Sequence, residues 1–163
     1  MSLVIRAAKP TDCAAILALL RELAQYQGLQ ADADVTLGGI ESALFASHPH
    51  YFCDIADWNG EPAGFAAWFF HYSTFHGRHG LHLEDLFVRP AWRRRGIGKA
   101  LMHRLAQRCV ADGLVRFEWA VMRSNVQSIN FYQSIGAQVL DQWKLCRLSG
   151  PALYAFAQEG EAS

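Results

Sequence analysis

Residues 83–101 constrain the fold of this chain more than any other stretch of its sequence. They begin with the apolar run Leu86-Phe87-Val88, continue through a basic turn that contains Gly96 and Gly98, and end in an amphipathic pattern. This order of patterns predicts a strand, a turn and a helix. Glycines let the backbone of such a turn approach an anion, and the helix N-terminus adds partial positive charge. The stretch therefore predicts a cradle for the phosphates of a nucleotide-type cofactor.

Two better-known phosphate-binding motifs do not fit this turn. A dinucleotide fingerprint needs a third glycine at position 101, which is Leu101 in this chain. A P-loop needs glycine at position 93 and serine or threonine at position 100, where this chain has Arg93 and Ala100. On the glycines alone, an ordinary basic turn before a helix is the simpler interpretation.

The charge balance of the chain limits the partners of this basic turn. The 163 residues include 15 Lys and Arg and 15 Asp and Glu, so the formal net charge is zero. A nucleic-acid-binding protein needs an excess of positive charge, which this chain lacks. Its apolar runs have the length of strands, and its cysteines form no CxxC pair. We therefore expect a cytoplasmic protein with free thiols and with neither nucleic acid nor a membrane as partner.

Hydrophobic periodicity predicts one mixed α/β domain over residues 1–160. The first strand is predicted at residues 4–6, and the first helix is expected to start at a cap formed by Thr11 or Asp12. Asn59-Gly60 predicts a hairpin turn, and residues 73–80 predict a polar loop. The further predictions are helices at residues 37–45, 96–111 and 128–135, the last capped by Asn125, and strands at residues 51–57, 62–72, 81–88, 115–122 and 143–148.

Two motifs at their correct spacing resemble the GCN5-related N-acetyltransferase (GNAT) superfamily. Residues 86–98 are similar to its pyrophosphate-binding motif, Q/R-x-x-G-x-G/A after an apolar strand end and V-x-P, and residues 125–137 are similar to its second motif. Leu83-Glu84-Asp85 and the opening residues 4–26 are similar to the diamine (spermidine/spermine) and thialysine acetyltransferase branch. The resemblance implies a single-domain α/β GNAT fold: a mixed, mostly antiparallel central sheet of about six to seven strands, flanked by about four helices.

The resemblance implies an N-acetyltransferase domain that transfers acetyl from acetyl-CoA to a small primary amine by direct attack. Diamines, polyamines and thialysine- or lysine-like amines are the expected acceptors, and a homodimer with the C-terminal strand region at its interface is the expected assembly. Two alternatives stay open: a protein amine or an aminoglycoside as acceptor, and a non-catalytic sensor that binds acetyl-CoA.

Acetyl transfer to an amine needs one base and one acid. An alkylammonium of pKa about 10.4 is almost fully protonated at pH 7, and the thiolate of coenzyme A leaves more easily when an acid protonates it. By resemblance, Glu84 is the base and Tyr132 is the acid. The simpler alternatives are a strand carboxylate paired with an arginine and a core tyrosine. Strict alternation along the strand predicts that Asp85 points to the opposite face from Glu84 and has a structural role.

The resemblance also assigns the binding residues. The backbone N–H groups of Phe87 and Val88 are expected to bind the pantetheine arm and the thioester carbonyl. The full set of expected cofactor contacts is Leu86, Phe87, Val88, Arg93, Arg94, Arg95, Gly96, Ile97, Gly98, Lys99, Asn125 and Ser128. The expected substrate contacts are Tyr26, Gln27, Glu84, Glu118 and Trp119.

The chain has few carboxylates that could bind a polycation. Polyamine enzymes carry an acidic residue where this chain has Gln27. Glu84, Glu118 and Asp141 are the remaining candidates. A short amine therefore fits at least as well as a long polyamine.

Four histidines gather between residues 71 and 82, namely His71, His76, His79 and His82. A metal site is conceivable, but no HExxH pattern or cysteine ligand accompanies them. We expect no metal and interpret the segment as a polar loop, either exposed or lining the substrate cleft.

Overall fold

The structure, a computed structural model, describes residues 2–158. Its strands are β1 Leu3–Ala7, β2 Phe52–Trp58, β3 Glu61–Ser73, β4 Arg78–Val88 and β5 Phe117–Trp119. Its α-helices are α1 Cys13–Gln27, α2 Leu37–Phe45, α3 Ile97–Ala111, α4 Val126–Ser134 and α5 Gly150–Gln158. The residues up to Ala120 and those from Val121 onward form two compact units.

The first unit is built on a sheet in the order β1-β2-β3-β4-β5. All neighbouring pairs are antiparallel except β4 and β5, which are parallel. Asn59 and Gly60 both have positive φ, as a tight hairpin between β2 and β3 requires, so the predicted turn is confirmed. The predicted loop at residues 73–80 is wrong, because β3 and β4 stay paired out to Ser73 and Arg78. A short turn closes this long hairpin, and three of the four clustered histidines lie in its strands.

Helices cover both faces of this sheet. The apolar sides of α1 and α2 pack with Ile55 of β2 and Phe65 of β3 in one buried cluster. Helix α3 packs against β3 and β4, and its expected apolar face is buried. That face consists of Ile97, Leu101, Leu105 and Cys109. The two-sided burial explains the continuous apolar runs of the central strands.

The side-chain cap predicted for α1 is absent. The Asp12 carboxylate accepts a hydrogen bond from the Lys9 N–H at 2.7 Å and pairs with Arg6 at 2.7 Å, and no side chain caps α1. Thr36 accepts a hydrogen bond from the Gly39 N–H and thereby caps α2. The carboxylate that could cap a helix is therefore used to join β1 to the turn before α1.

The second unit departs most from the predicted order of elements. The strand predicted at residues 143–148 is wrong, and a helix, α5, follows that segment instead. A segment forms a strand only where a neighbouring strand completes its hydrogen bonds, and β5 ends the sheet of the described residues. Pro151 in the first turn of α5 favours a helix start. The sheet of the described residues thus has five strands, fewer than expected, and five helices accompany it.

The strand predicted at residues 115–122 shortens to β5, which pairs with β4 only from Leu81 to Leu83. A frayed tail after Gly160 lies outside the described residues. Between residues 2 and 158, no helix is both long and apolar enough to cross a membrane.

Candidate active site

The C-terminal half of β4 has an open edge. Strand β5 pairs with Leu81, His82 and Leu83, and no strand of residues 2–158 continues this pairing along β4 beyond Leu83. The two strands therefore separate at Glu84. A separation of this kind leaves backbone N–H and C=O groups free for a ligand, as at any sheet edge.

Backbone alternation decides which residues face that edge. The Arg89 N–H donates to Ala63 of β3, and the Phe87 carbonyl lies close to Gly64 of β3, so both residues face the sheet. The Val88 carbonyl faces away and accepts a hydrogen bond from Arg93 Nε at 2.9 Å. The N–H groups of Leu86 and Val88 therefore point to the open side, whereas the N–H group of Phe87, which we expected there, points to β3.

The basic turn leads from this edge into α3. Arg94 and Gly96 have positive φ values of 61° and 77°. Such left-handed residues turn successive N–H groups toward one side and form an anion-binding nest. The N–H groups of the first turn of α3, from Ile97 to Lys99, have no partner within the helix. They point outward from the helix N-terminus, which is the positive end of the helix dipole. The turn has the geometry of a phosphate cradle.

Two arginines of the turn contact aromatic rings. The Arg93 guanidinium lies 4.4 Å from the ring centre of Tyr26 and 5.8 Å from that of Phe87. Arg95 lies 5.2 Å from the ring centre of Trp58. Because Arg93 also holds the Val88 carbonyl, it ties the end of β4 to the end of α1.

Glu84 is the extra residue of a β-bulge. Ala67 pairs with Asp85 and Trp68 pairs with Leu83, so the register skips Glu84. A bulge re-aims side chains, and it breaks the alternation from which we predicted opposite faces for Glu84 and Asp85. The Glu84 side chain is 55% exposed, and its Oε2 lies 3.7 Å from Nε2 of His82. Its observed ionic neighbour is thus a histidine.

Asp85 is half-buried beside Tyr51, whose hydroxyl donates to its carboxylate at 3.2 Å. Burial raises the pKa of Asp85, and the charge of Glu84 raises it further. Burial and the Asp85 charge raise the pKa of the Tyr51 hydroxyl. The charge of the exposed Glu84 carboxylate thus acts on the half-buried Asp85 carboxylate. The hydrogen bond to Tyr51 agrees with the structural role expected for Asp85.

The expected substrate residues of the first unit differ in their surroundings. Tyr26 is 60% exposed at the end of α1, and Gln27, the last residue of α1, is exposed. Glu118 of β5 forms an ion pair with Arg116 at 2.9 Å, and its Oε2 lies 3.2 Å from Nε2 of His71. The Trp119 ring packs 4.9 Å from that of Phe117. Arg116 thus already neutralises part of the Glu118 charge, and the His71 ring lies beside the same carboxylate.

Neither metal ligands nor a reactive thiol stand out. No group of three or more His, Cys, Asp and Glu residues that could hold a metal occurs in the described part of the chain. Cys13, Cys53 and Cys109 are buried, and burial raises the pKa of each thiol. A raised pKa removes thiolate, the form that acts as a nucleophile.

In the second unit, the predicted cap and the expected acid lie on one short helix. The Asn125 side chain accepts a hydrogen bond from the Ser128 N–H at 3.2 Å at the start of α4, which confirms the predicted cap. Tyr132 follows on the same helix. Burial raises the pKa of its hydroxyl, although a hydrogen bond with Ser128 lowers it. The phenol is therefore protonated at neutral pH, as an acid must be.

Both motifs lie within the region that matches a known family. The sequence profile of the Acetyltransferase (GNAT) family matches residues 14–137. The chain belongs to this family. It is 32% identical to the thialysine N-epsilon-acetyltransferase of Sus scrofa over 96% of this chain and 98% of that protein. It is 46% identical to an L-ornithine N5-acetyltransferase of Arabidopsis thaliana, over 57% of this chain but only 41% of that longer protein.

A solved structure shows the same fold. An integron cassette protein from the mobile metagenome of V. cholerae superposes with a TM-score of 0.82 at 25% identity, over 97% of this chain and 99% of that chain. The expected α/β GNAT fold, membership of the superfamily and likeness to the thialysine branch are thus confirmed. This GNAT protein is an N-acetyltransferase, and the enzymes of its family use acetyl-CoA as co-substrate.

Proposed function

We propose that this GNAT enzyme transfers acetyl from acetyl-CoA to the terminal amine of a short acceptor by direct attack, with residues 1–160 acting as one N-acetyltransferase domain. The observation that carries the proposal is the position of Glu84, an exposed carboxylate on a bulge where the edge of β4 opens. The proposal includes a cytoplasmic homodimer, as the resemblance implies.

The chain's own groups suit the parts of acetyl-CoA, which when bound supplies an acetyl thioester. Leu86 and Val88 offer N–H groups at the open edge for the pantetheine arm. The N–H groups from Arg94 to Lys99 form the nest for the pyrophosphate, with the charges of Arg94, Arg95 and Lys99 around it. Arg93 braces this turn. The resemblance assigns Asn125 and Ser128 as further cofactor contacts.

Glu84 and Tyr132 divide the proton chemistry. Glu84 takes a proton from the substrate ammonium, because only the neutral amine attacks the thioester. Tyr132 donates a proton to the departing thiolate, for which its raised pKa keeps it protonated. The tyrosinate regains a proton from the attacking nitrogen, which loses its second proton as the amide forms. The burial of Cys13, Cys53 and Cys109 favours direct attack over a covalent acyl-enzyme on these three thiols, whereas Cys146 is exposed.

A short amine suits the acidic groups better than a long polyamine. Of the expected carboxylates, Glu118 is engaged by Arg116 and His71, so Glu84 is the main group for an acceptor cation. Tyr26, Gln27 and Trp119 complete the proposed acceptor site. The names of two relatives, which state thialysine and L-ornithine as substrates, agree with a single terminal amine on a short chain.

Acetyl-CoA is expected to raise the Tm of the protein by about 5–10 °C at 100 times its Kd, as mass action predicts for a chain of this size. Release of coenzyme A thiol is then expected with ornithine, lysine, thialysine or putrescine, and more weakly with spermine. An aminoglycoside and a peptide amine test the other acceptors. Absence of a Tm shift contradicts acetyl-CoA binding, and a shift without transfer to any amine favours a sensor.

Tyr132→Phe is expected to lower kcat by about 100-fold, because it removes the proton for the thiolate. Its KM for acetyl-CoA is expected to stay within about twofold, since Phe keeps the ring and an unchanged KM marks a loss confined to the transition state. Tyr154→Phe, an exposed tyrosine of the same unit, is the control. Full activity of Tyr132→Phe excludes this residue as the acid.

A further inference from the structure

Beside Glu84, three strands bring histidines and carboxylates to one face of the sheet. His71 comes from β3, His82 and Glu84 from β4, and Glu118 from β5. We call these four residues the histidine–carboxylate row. Its measured contacts are His82 to Glu84 at 3.7 Å and His71 to Glu118 at 3.2 Å.

The pairing of the strands explains why these side chains meet. His82 and Glu118 are register partners across the parallel pair. His71 is the partner of Gly80, and a Cβ at Gly80 would collide with the His71 ring, which therefore lies over the glycine. Gly80 and His82 lie on the same face of β4, two residues apart. Glu84 follows His82 by two residues on the same strand, and its Oε2 lies 3.7 Å from Nε2 of His82.

We propose that His82 relays the substrate's proton from Glu84 to solvent, an inference that rests on the proposed function. The substrate ammonium gives its proton to the Glu84 carboxylate and becomes the attacking amine. The exposed Glu84 side chain closes its 3.7 Å gap to His82 by rotation, to reach hydrogen-bond distance. Protonated Glu84 then gives this proton to neutral His82, which becomes an imidazolium and releases it to water. Glu84 is thereby an anion again before the next turnover, and the overall reaction releases one proton. His82 acts through Glu84 and is thus a positioning residue in the proton path.

The chemistry of the two groups favours this relay. An ordinary imidazole of pKa about 6.5 holds a proton roughly 100-fold better than an ordinary glutamate of pKa about 4.3. His82 is also 29% exposed, so water reaches its ring. Its ring packs 5.0 Å from that of Phe69, which fixes its plane beside Glu84.

Titratable groups from three strands face His82. On its own strand it faces Glu84, with Asp85 turned to Tyr51 and His79 packed against Tyr72. From β3 it faces His71, whose pKa is lowered by burial, so that this neighbour is neutral at pH 7. From β5 it faces Glu118, which Arg116 partly neutralises.

The test compares pH profiles of kcat for the wild type, His82→Gln and His82→Phe with a saturating short amine. The kcat of both variants is expected to fall about 10-fold at pH 7, less than the factor of 100 or more typical of the loss of a direct base. The acidic limb of the kcat profile of both variants is expected to move to lower pH, because activity no longer requires a neutral imidazole at position 82. Phe preserves the packing on Phe69 if Gln does not fold. His103→Gln, exposed on α3, is the matched control and should keep the wild-type profile.

Chemical rescue supplies the second readout. Free imidazole is expected to restore part of the rate of His82→Ala and to leave Glu84→Gln unchanged, because an external base replaces only the relay. Variants that keep the wild-type limb and show no rescue overturn the inference, even if their kcat is lower. A wild type that transfers acetyl to no amine overturns the proposed function itself, and the inference with it.

Discussion

Glu84→Gln is expected to lower kcat for a short amine by about 1,000-fold at pH 7, within the range for loss of a general base. This corresponds to about 4 kcal/mol of transition-state stabilisation. The amide keeps the size of the side chain but cannot accept the proton of the ammonium. The deficit is expected to shrink as the pH rises toward about 10, because the free amine then forms without a base. Initial rates of thiol release between pH 6 and 10 measure this directly.

Two further measurements separate catalysis from folding in this variant. Glu84 is more than half exposed, so the substitution should change the free energy of unfolding by less than about 0.5 kcal/mol. Glu61→Gln, exposed at the start of β3, is the matched control and should retain wild-type kcat. A Glu84→Gln enzyme with a constant deficit at every pH would show that the carboxylate binds the acceptor without removing its proton.

Local signals in the sequence predicted most of the first unit. The periodicity of residues 37–45 gave α2 at its observed bounds, and Asn59-Gly60 gave the β2–β3 hairpin. These features depend on neighbouring residues only, through side-chain period and turn conformation. The turn at Gly96 and the start of α3 were predictable for the same reason.

Features set by a partner strand were not predictable from the pattern alone. The bulge at Glu84 exists because β4 has one more residue than β3 between two register pairs, which no local pattern records. The direction of the Phe87 N–H group likewise follows from its pairing with β3. In the second unit, residues 143–148 are rich in apolar side chains but form no strand within the described residues, because a strand pattern states nothing about the presence of a neighbour.

The shape of the open edge depends on polar contacts that hold the sheet to its helices. Arg89, at the end of β4, binds Glu22 of α1 through Nε and Nη2 and the Pro62 carbonyl through Nη1. On the other face, Asp54 of β2 is 2% exposed and accepts from Trp68 Nε1 at 2.9 Å and from Arg104 Nε at 2.7 Å. Arg104 is thus the counterion of the buried Asp54 carboxylate. This ion pair also tethers α3, whose N-terminus forms the proposed phosphate site.

Arg104→Met is therefore expected to cost about 3 kcal/mol of unfolding free energy, the low end of the range for breaking a buried ion pair. The low end applies because Arg104 itself is 36% exposed, whereas Asp54 is not. Methionine preserves the helix and most of the packing, but it leaves the Asp54 carboxylate buried with Trp68 as its remaining hydrogen-bond donor. Urea unfolding of the wild type and the variant measures the difference.

The control and the double variant show whether the buried charge is the cause. Gln107→Met, exposed on the same helix, should stay within about 0.5 kcal/mol of the wild type. Adding Asp54→Asn to Arg104→Met should recover part of the loss, because the amide is uncharged and can still accept from Trp68. If the double variant is less stable than Arg104→Met by the full cost of Asp54→Asn alone, the two side chains act independently. The tether of α3 then depends on its apolar face, and the cradle should survive the loss of Arg104.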